Sequence, residues 1–421
     1  MRTYYLVMKI FFTIFLLIYI TQAQTGFVMG ELGTLVKTTD GGQNWSIKPT
    51  GTSITLWESY FINDNTGWIA EGNVESPPGI IIKTTDQGES WVTQYTSNTC
   101  WFTNVWFLNN QTGYAVGSSQ KVIKTTNGGT NWDFITMGSG STELETVFFP
   151  DSATGYITGW GGLLYKSTDA GNSWFSVISG TGNNLYASYF LNYNFGIVAG
   201  AGGTILRTLD GNNWVSQPSG TTSQIFSVYF YNKAYGWAVG DNGTVVKSTD
   251  RGDTWFPLNS GTTIRLEIVA FVNQMTGWIA GGWTGSIVKK TVDGGNNWVT
   301  QNVGSNNRFY SAWFFRQPLI IESESNKIPT EFNLYQNYPN PFNPTTRIKF
   351  DLPYYAYIGD QNVQLVVLDI TGREIATLLN EKLNPGSYEV QWDASNYSSG
   401  IYFYTLRTNK FIQTQKMILV K

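Results

Sequence analysis

The carboxyl groups of Glu143, Glu145 and Glu267 and the guanidinium groups of Arg265 and Arg308 are the side chains of this 421-residue chain best suited to chemistry. A pair of carboxyls at a set separation can hydrolyse a glycoside, and arginines beside them can hold an anionic substrate. Little other apparatus is available. The chain has no histidine, so Ser-His and Cys-His catalysis are excluded and the commonest metal ligand is missing. The single cysteine, Cys100, can build neither a disulfide framework within the chain nor a thiolate metal site, and reads as a small buried apolar residue. No glycine loop of the cofactor-binding kind is present, so neither a cofactor nor a metal is expected. Glu145 and Glu267 occupy the same position in repeats three apart in a ring of seven, nearly opposite each other, a separation that reads as too wide for both to act on one bond. Glu143 and Glu145 share a strand face but have no arginine pair beside them in sequence. The expectation is a protein that is not an enzyme.

A second stretch, "KTTDGGQNW" at residues 37–45, also combines a possible base, small turn residues and a Trp. It recurs, ending at Trp91, Trp132, Trp174, Trp214, Trp255 and Trp298, so that its seven tryptophans, beginning with Trp45, stand 46, 41, 42, 40, 41 and 43 residues apart. A catalytic phrase would demand seven equivalent sites. Yet Asn127 stands where the other copies have Asp40, Asp86, Asp169, Asp210, Asp250 and Asp293, and the fifth copy is one residue short. A turn tolerates such drift. Its acid accepts N–H groups of its own backbone, its glycine takes positive φ, and its Trp buries a broad ring between units.

A repeat of this length cannot bury its own core, so the units must pack on one another. Within one period, "IFSVYF" (225–230), "YGWAVG" (235–240), "GTVVKSTD" (243–250) and "TWFPL" (254–258) read as four short strands, which predicts a propeller blade. The array opens on a second strand, "TGFVMG", and closes on a first strand, "RFYSAWFF" at 308–315, so the last piece should complete the first blade. With 45 glycines, 17 Trp, 24 Tyr and 25 Phe favouring strands and tight turns, the expected fold is all-β: a seven-bladed β-propeller followed by a small immunoglobulin-like β-sandwich.

Comparing the repeats with one another separates fold from other uses. Phe61, Phe107, Phe149, Phe190, Phe230, Phe271 and Phe314 are identical at one first-strand position and read as core. Four residues earlier stand Trp57, Thr103, Glu145, Tyr186, Phe226, Glu267 and Tyr310, a mixed set expected to ring one mouth of the central channel. Trp101, Arg265 and Arg308 should join them from neighbouring loop positions, and Glu71, Trp160, Asp241 and Trp283 lie on loops of the same face. Aromatics mixed with arginine are typical of binding hot spots.

The repeated phrase resembles the Asp-box, S/T-x-D-x-G-x-S/T-W, of sialidase-like propellers, which Thr38, Asp40, Gly42 and Trp45 fit directly. With "TGWIA", "TGYAV" or "YGWAV" ahead of each box, the array is similar to the seven-bladed photosystem II assembly factor family and its bacterial relatives. The tail string "YPNPFNPTT", with "DITGRE", "GSYEVQWDA", "SGIYFYTL" and the ending "KMILVK", resembles the C-terminal sorting domain of the type IX secretion system. That likeness implies the type IX machinery as a partner and export to the cell surface or medium. At the other end, Arg2 and Lys9, an apolar run from Ile10 to Ile20 and a small residue at Ala23 read as a signal peptide, too short to span a bilayer, so no transmembrane segment is expected in the mature chain. The expected layout is a signal peptide over 1–23, the propeller over 24–316, a linker over 317–330 and the sorting domain over 331–421. No basic tract interleaved with aromatics occurs, and nucleic acid is not an expected partner. The leading expectation is a secreted or cell-surface binding or scaffold propeller with an unknown protein or glycan ligand. The alternatives are a sialidase-like or cellulose- or xyloglucan-degrading glycoside hydrolase, and a purely structural envelope component.

Overall fold

The structure is a computed structural model. It describes residues 24–421 apart from 316–328, 330, 354–361 and short stretches at 74–75, 136, 138–139, 232–233, 284, 384–385, 395–396 and 409–410. The signal peptide over 1–23 and most of the linker lie outside the described residues. The chain divides into two compact units after Arg316.

In the first unit the described residues form seven four-stranded antiparallel sheets. Six are built from consecutive strands, as in blade 6, where Ile225–Phe230, Gly236–Gly240, Val245–Ser248 and Phe256–Leu258 run from the axis outward. Blade 1 is composite. Its inner strand, Phe309–Phe314, pairs with Gly26–Gly30 in a register that sets Val28 opposite Ala312, so the two ends of the array share one sheet. The inner strands neighbour one another in turn and the ring closes where Phe309–Phe314 lies between Leu266–Phe271 and Leu56–Phe61.

Between blades, the repeated Phe is the centre of a three-layer stack. It lies flat against an aromatic from the second strand of the preceding blade, as Trp68 on Phe107 at 3.5 Å and Trp237 on Phe271 at 3.6 Å. It then receives the Trp of its own box edge-on, as Trp132 on Phe107 and Trp298 on Phe271. In blade 6 the preceding aromatic is replaced by Ile197, which shares a buried cluster with Phe230 and Trp255. Offset and edge-on ring pairs add to the burial of area, so this repeated stack supplies much of the cohesion between blades.

The second unit holds a three-stranded sheet (Asn333–Leu334, Thr345–Leu352, Gly386–Asp393) and a four-stranded one (Glu374–Lys382, Asn362–Leu368, Gly400–Arg407, Ile412–Leu419). Ile348, Phe350 and Trp392 from one sheet and Leu365, Tyr404 and Met417 from the other enter a single core, which makes the unit a β-sandwich. Among the described residues no helix is long and apolar enough to cross a membrane.

Candidate functional site

The box phrase is a turn in every copy. In the first, Thr38 Oγ1 accepts the Gly42 N–H at 2.8 Å, while Asp40 accepts the Asn44 N–H at 2.9 Å and its side-chain amide at 2.7 Å. Gly42 sits at φ 86°, in the left-handed region that glycine enters freely. Asn127 keeps the arrangement because its amide oxygen accepts the Asn131 N–H at 2.9 Å. The short fifth copy keeps it too, with Asn213 bonded to Asp210 through backbone and side chain at 2.7 and 2.6 Å. Hydrogen bonds from Ser90 and Ser173 pull Asp86 and Asp169 down to about 2, so these carboxylates stay charged and shuttle no protons near neutrality.

The lysine that opens the phrase links blades. Lys83, Lys124, Lys166 and Lys247 each donate to a carbonyl in the next blade's box turn, at 2.9, 3.1, 3.0 and 2.8 Å. Lys290 closes the circle on the Gly41 carbonyl at 2.6 Å, and Lys37 reaches the Gln87 carbonyl and Glu89. Most also lie over the second-strand aromatic of their own blade, as Lys83 over Trp68 at 4.9 Å. Sequence reading missed this role because the partner carbonyl lies one whole repeat away. The two hollows beside the boxes, one lined by Lys37, Trp45 and Glu89 and the other by Lys290 and Asp293, are the grooves these lysines cross.

The opposite end of the inner strands carries the variable residues, and a common backbone feature aims them. In every blade the pairing of the inner strand with the second slips by one residue, so that Trp57, Thr103, Glu145, Tyr186, Phe226, Glu267 and Tyr310 are each the extra residue of a β-bulge. A bulge leaves one residue out of the ladder and re-aims its side chain, which frees this position from the constraints that keep its neighbours alike.

The bulge residues of four blades, bridged by Arg265 and Trp283 of blade 7, form an arc. Tyr186 packs on Phe226 at 5.3 Å, and the Arg265 guanidinium covers Phe226 at 3.7 Å. Trp283 lies between Arg265 and Arg308, at 5.2 and 4.4 Å, and remains 55% exposed. Glu31 then links Arg308 to Tyr310, and Tyr310 packs on Trp57 at 4.6 Å. Trp57 donates its indole N–H to the Gly72 carbonyl, and Trp101 packs closely on Gly72, where even a methyl group would collide with it. Thr103 stands apart, its hydroxyl turned to the carbonyls of Val116 and Leu144.

The carboxylates form a separate group. Glu145 accepts the Trp160 indole N–H at 2.5 Å, and Glu267 pairs with Arg265 at 2.5 Å, with Asp241 3.8 Å from the same guanidinium. Burial raises Glu145 to about 7; Glu143 and Glu267 push in the same direction, and Trp160 and Arg265 oppose them. Burial likewise raises Glu267 to about 7 against the pull of Arg265. Glu267, three blades away, adds to the rise at Glu145 behind burial and Glu143. Glu71 does not face the mouth as expected from its loop. It is fully buried, at the second-strand position where the other six blades have glycine, and burial raises it to about 8.

Three comparisons place the chain among known proteins. The family model described as photosynthesis system II assembly factor YCF48 matches residues 6–99, 94–179 and 208–309, and the model described as secretion system C-terminal sorting domain matches residues 336–421. The unmatched stretch 180–207 holds the first strands of blade 5, which the structure builds like the others. A solved structure of YCF48 bound to D1 peptide shares 20% identity at a TM-score of 0.52, covering 64% of this chain and 90% of that one. YCF48 from Cyanidioschyzon merolae shares 18% at a TM-score of 0.51, over 64% and 89%. These likenesses show a common propeller fold. No curated protein matches the chain.

Proposed function

Because the chain belongs to the photosynthesis system II assembly factor YCF48 family and ends in a type IX secretion sorting domain, we propose that it is a secreted or cell-surface propeller that binds a protein or glycan at its channel mouth and catalyses no reaction of its own. The sorting domain marks the chain for the cell surface or the medium. The observation that carries the binding role is the arc from Tyr186 to Trp57, and above all Trp283, a large ring left 55% exposed between two guanidiniums. Folding gains little from such a residue, whereas Trp, Tyr and Arg at the centre of a patch dominate binding energies. One relative in the family has been solved with a peptide bound, which fits a binding role for this fold. The test is a glycan array and a surface pull-down with the full-length protein, repeated with Trp283→Ala. Loss of the captured ligand in a variant with unchanged melting temperature supports the reading, and undiminished capture sinks it.

Export and processing make a second expectation. Mass spectrometry of the surface or medium form should find an N-terminus near Gln24 and the region after about Glu331 removed. A full-length chain held in the periplasm of a host with an intact type IX pathway would contradict it.

One observation favours the glycoside hydrolase alternative: Glu145 and Glu267 both titrate at about 7, where a general acid is useful, and their charges interact. Against it, Glu267 is occupied by Arg265 and Glu145 by the Trp160 indole. The expected result is no turnover of sialosides, β-glucans or xyloglucan. Hydrolysis that disappears in Glu143→Gln or Glu145→Gln would replace the binding reading with the enzymatic one.

A further inference from the structure

At the position that Glu71 occupies, folding asks for glycine. In the other six blades it is Gly30, Gly117, Gly159, Gly200, Gly240 and Gly281, and a methyl group at any of them would run into the carbonyl that precedes the inner strand, such as that of Arg308 beside Gly30 or Gln224 beside Gly240. Blade 2 keeps a whole carboxyl group there. It is fully buried, opposite Leu56 on one side and Ile80 on the other, and among the described residues neither of its oxygens has a hydrogen-bond partner. The Thr52 hydroxyl alone eases the charge, short of hydrogen-bond geometry, and it already accepts the Ile54 N–H at 3.0 Å. A carboxylate with no donor around it is untenable in such a place, so the group sits there as the neutral acid. Burial puts its titration at about 8.

The next residue in the chain gives that proton its reach. Gly72 donates its N–H to the Thr55 carbonyl at 3.1 Å and accepts the Trp57 indole N–H at 2.8 Å, while Trp101 packs so closely on Gly72 that a methyl group would collide with it. Trp57 in turn packs on Tyr310 at 4.6 Å. One end of the aromatic arc therefore rests on the neighbour of Glu71.

Resting on the mouth as the binding site proposed above, we propose that Glu71 is a proton-operated latch for this end of it: neutral, it stays buried and holds Gly72, Trp57 and Trp101 in place, and ionised, it leaves for solvent, draws Gly72 with it and loosens the Trp57 end of the arc. A carboxyl kept where glycine folds better serves something besides folding.

The elements packed against Glu71 are the inner strand Leu56–Phe61, the third strand Ser76–Thr84, the loop bearing Thr52 with the turn Glu31–Gly33 against it, and the chain that enters blade 3 at Trp101. Their titratable side chains are Glu58, Tyr60, Lys83, Glu31 and Cys100, and none of them contributes to the shift at Glu71, which burial raises and the Thr52 hydroxyl lowers. The latch answers to the pH of the solvent. Because its folded-state value is raised, the acid is neutral in both states below the ordinary carboxylate range, ionised only in the unfolded chain from there to about 8, and ionised in both above that. Across that window folding loses up to about tenfold in its equilibrium constant per pH unit.

Fluorine NMR of the full-length protein labelled with 5-fluorotryptophan tests the latch, with the signals of Trp57, Trp101 and Trp255 assigned from their Trp→Phe variants. From about pH 6 to about pH 9.5 the Trp57 and Trp101 signals are expected to shift or broaden with a midpoint near 8, while that of Trp255, buried in blade 6, stays put. Glu71→Gln and Glu71→Gly, the second copying the other blades, should each abolish the transition. Melting supplies a second readout: the gap in melting temperature between either variant and the parent should widen from about pH 5 to about pH 8 and hold constant above. Static Trp57 and Trp101 signals in the parent, an equal transition in the variants, or a melting gap that ignores pH each overturns the latch. No ligand is present in either measurement, so a failed latch leaves the binding reading to be judged by the array and the pull-down.

Discussion

A chain ending at Arg308 is expected to lose the cooperative thermal transition that a chain ending at Arg316 retains. The eight residues between contain the inner strand Phe309–Phe314, the one strand that joins the two ends of the propeller. Without it, Gly26–Gly30 becomes an open inner edge and the buried side chains of Val28 and Val36 lose Phe309 and Phe314 from their cluster. Phe314 also stacks on Trp278 of blade 7 at 4.0 Å and meets Trp45 edge-on, so its loss opens the ring on both sides. Truncating a single buried Phe costs roughly 3 to 5 kcal/mol. Two of them, together with a ladder of backbone hydrogen bonds, approach the roughly 5 to 15 kcal/mol by which a whole domain is stable. Near-UV circular dichroism and calorimetry would read the loss. Two truncations that melt alike would show that the ring does not depend on its closing strand.

The expectation that this strand closes the ring came from the order of pieces in the sequence, where the array opened on a second strand and ended on a first. Period and order survive translation into structure because each repeat folds through local pairing. The box turn was legible for the same reason, since its donors and acceptors lie within four residues of one another and Asn127 can replace an Asp without changing the acceptor. Contacts between repeats were harder to read. The lysine at the head of six of the seven phrases looked like a spare base until its carbonyl partner appeared in the next blade, as in Lys290 bonded to Gly41.

The channel mouth was partly legible. Comparison among repeats singled out the position four residues before the core Phe, but an even spacing cannot reveal that the register slips there, and it is the slip that sets the side chain free. Glu71 carried a signal that went unread. It stands where the other copies have glycine, a place beside the preceding loop's backbone where a mouth-facing carboxylate has no room.

The same division between fold and mouth gives the second large effect: Trp255→Ala is expected to destabilise the propeller by about 3 to 5 kcal/mol, as removal of a buried Trp side chain typically does. Trp255 is 5% exposed and stands at 89° to the Phe230 ring with centroids 5.7 Å apart. Its cluster includes Ile197 from the second strand of blade 5 and Phe195 just before that strand, so the cavity left by Ala would open at an interface between blades. Its indole N–H caps the box turn by donating to the Gly252 carbonyl at 3.2 Å. Both losses fall on folding and neither lies near the mouth. The melting temperature should drop by on the order of 10 °C, given roughly 2 to 4 °C per kcal/mol in a large domain. Trp283→Ala is the matched control, since a ring 55% exposed is removed at little cost to stability. The two substitutions should therefore separate cleanly, one lowering the melting temperature with ligand affinity kept in the folded fraction, the other weakening the ligand at an unchanged melting temperature. If Trp255→Ala instead melted like the parent and failed to bind, the seven-fold phrase would belong to a binding site, and the turn geometry would be serving recognition as well as folding.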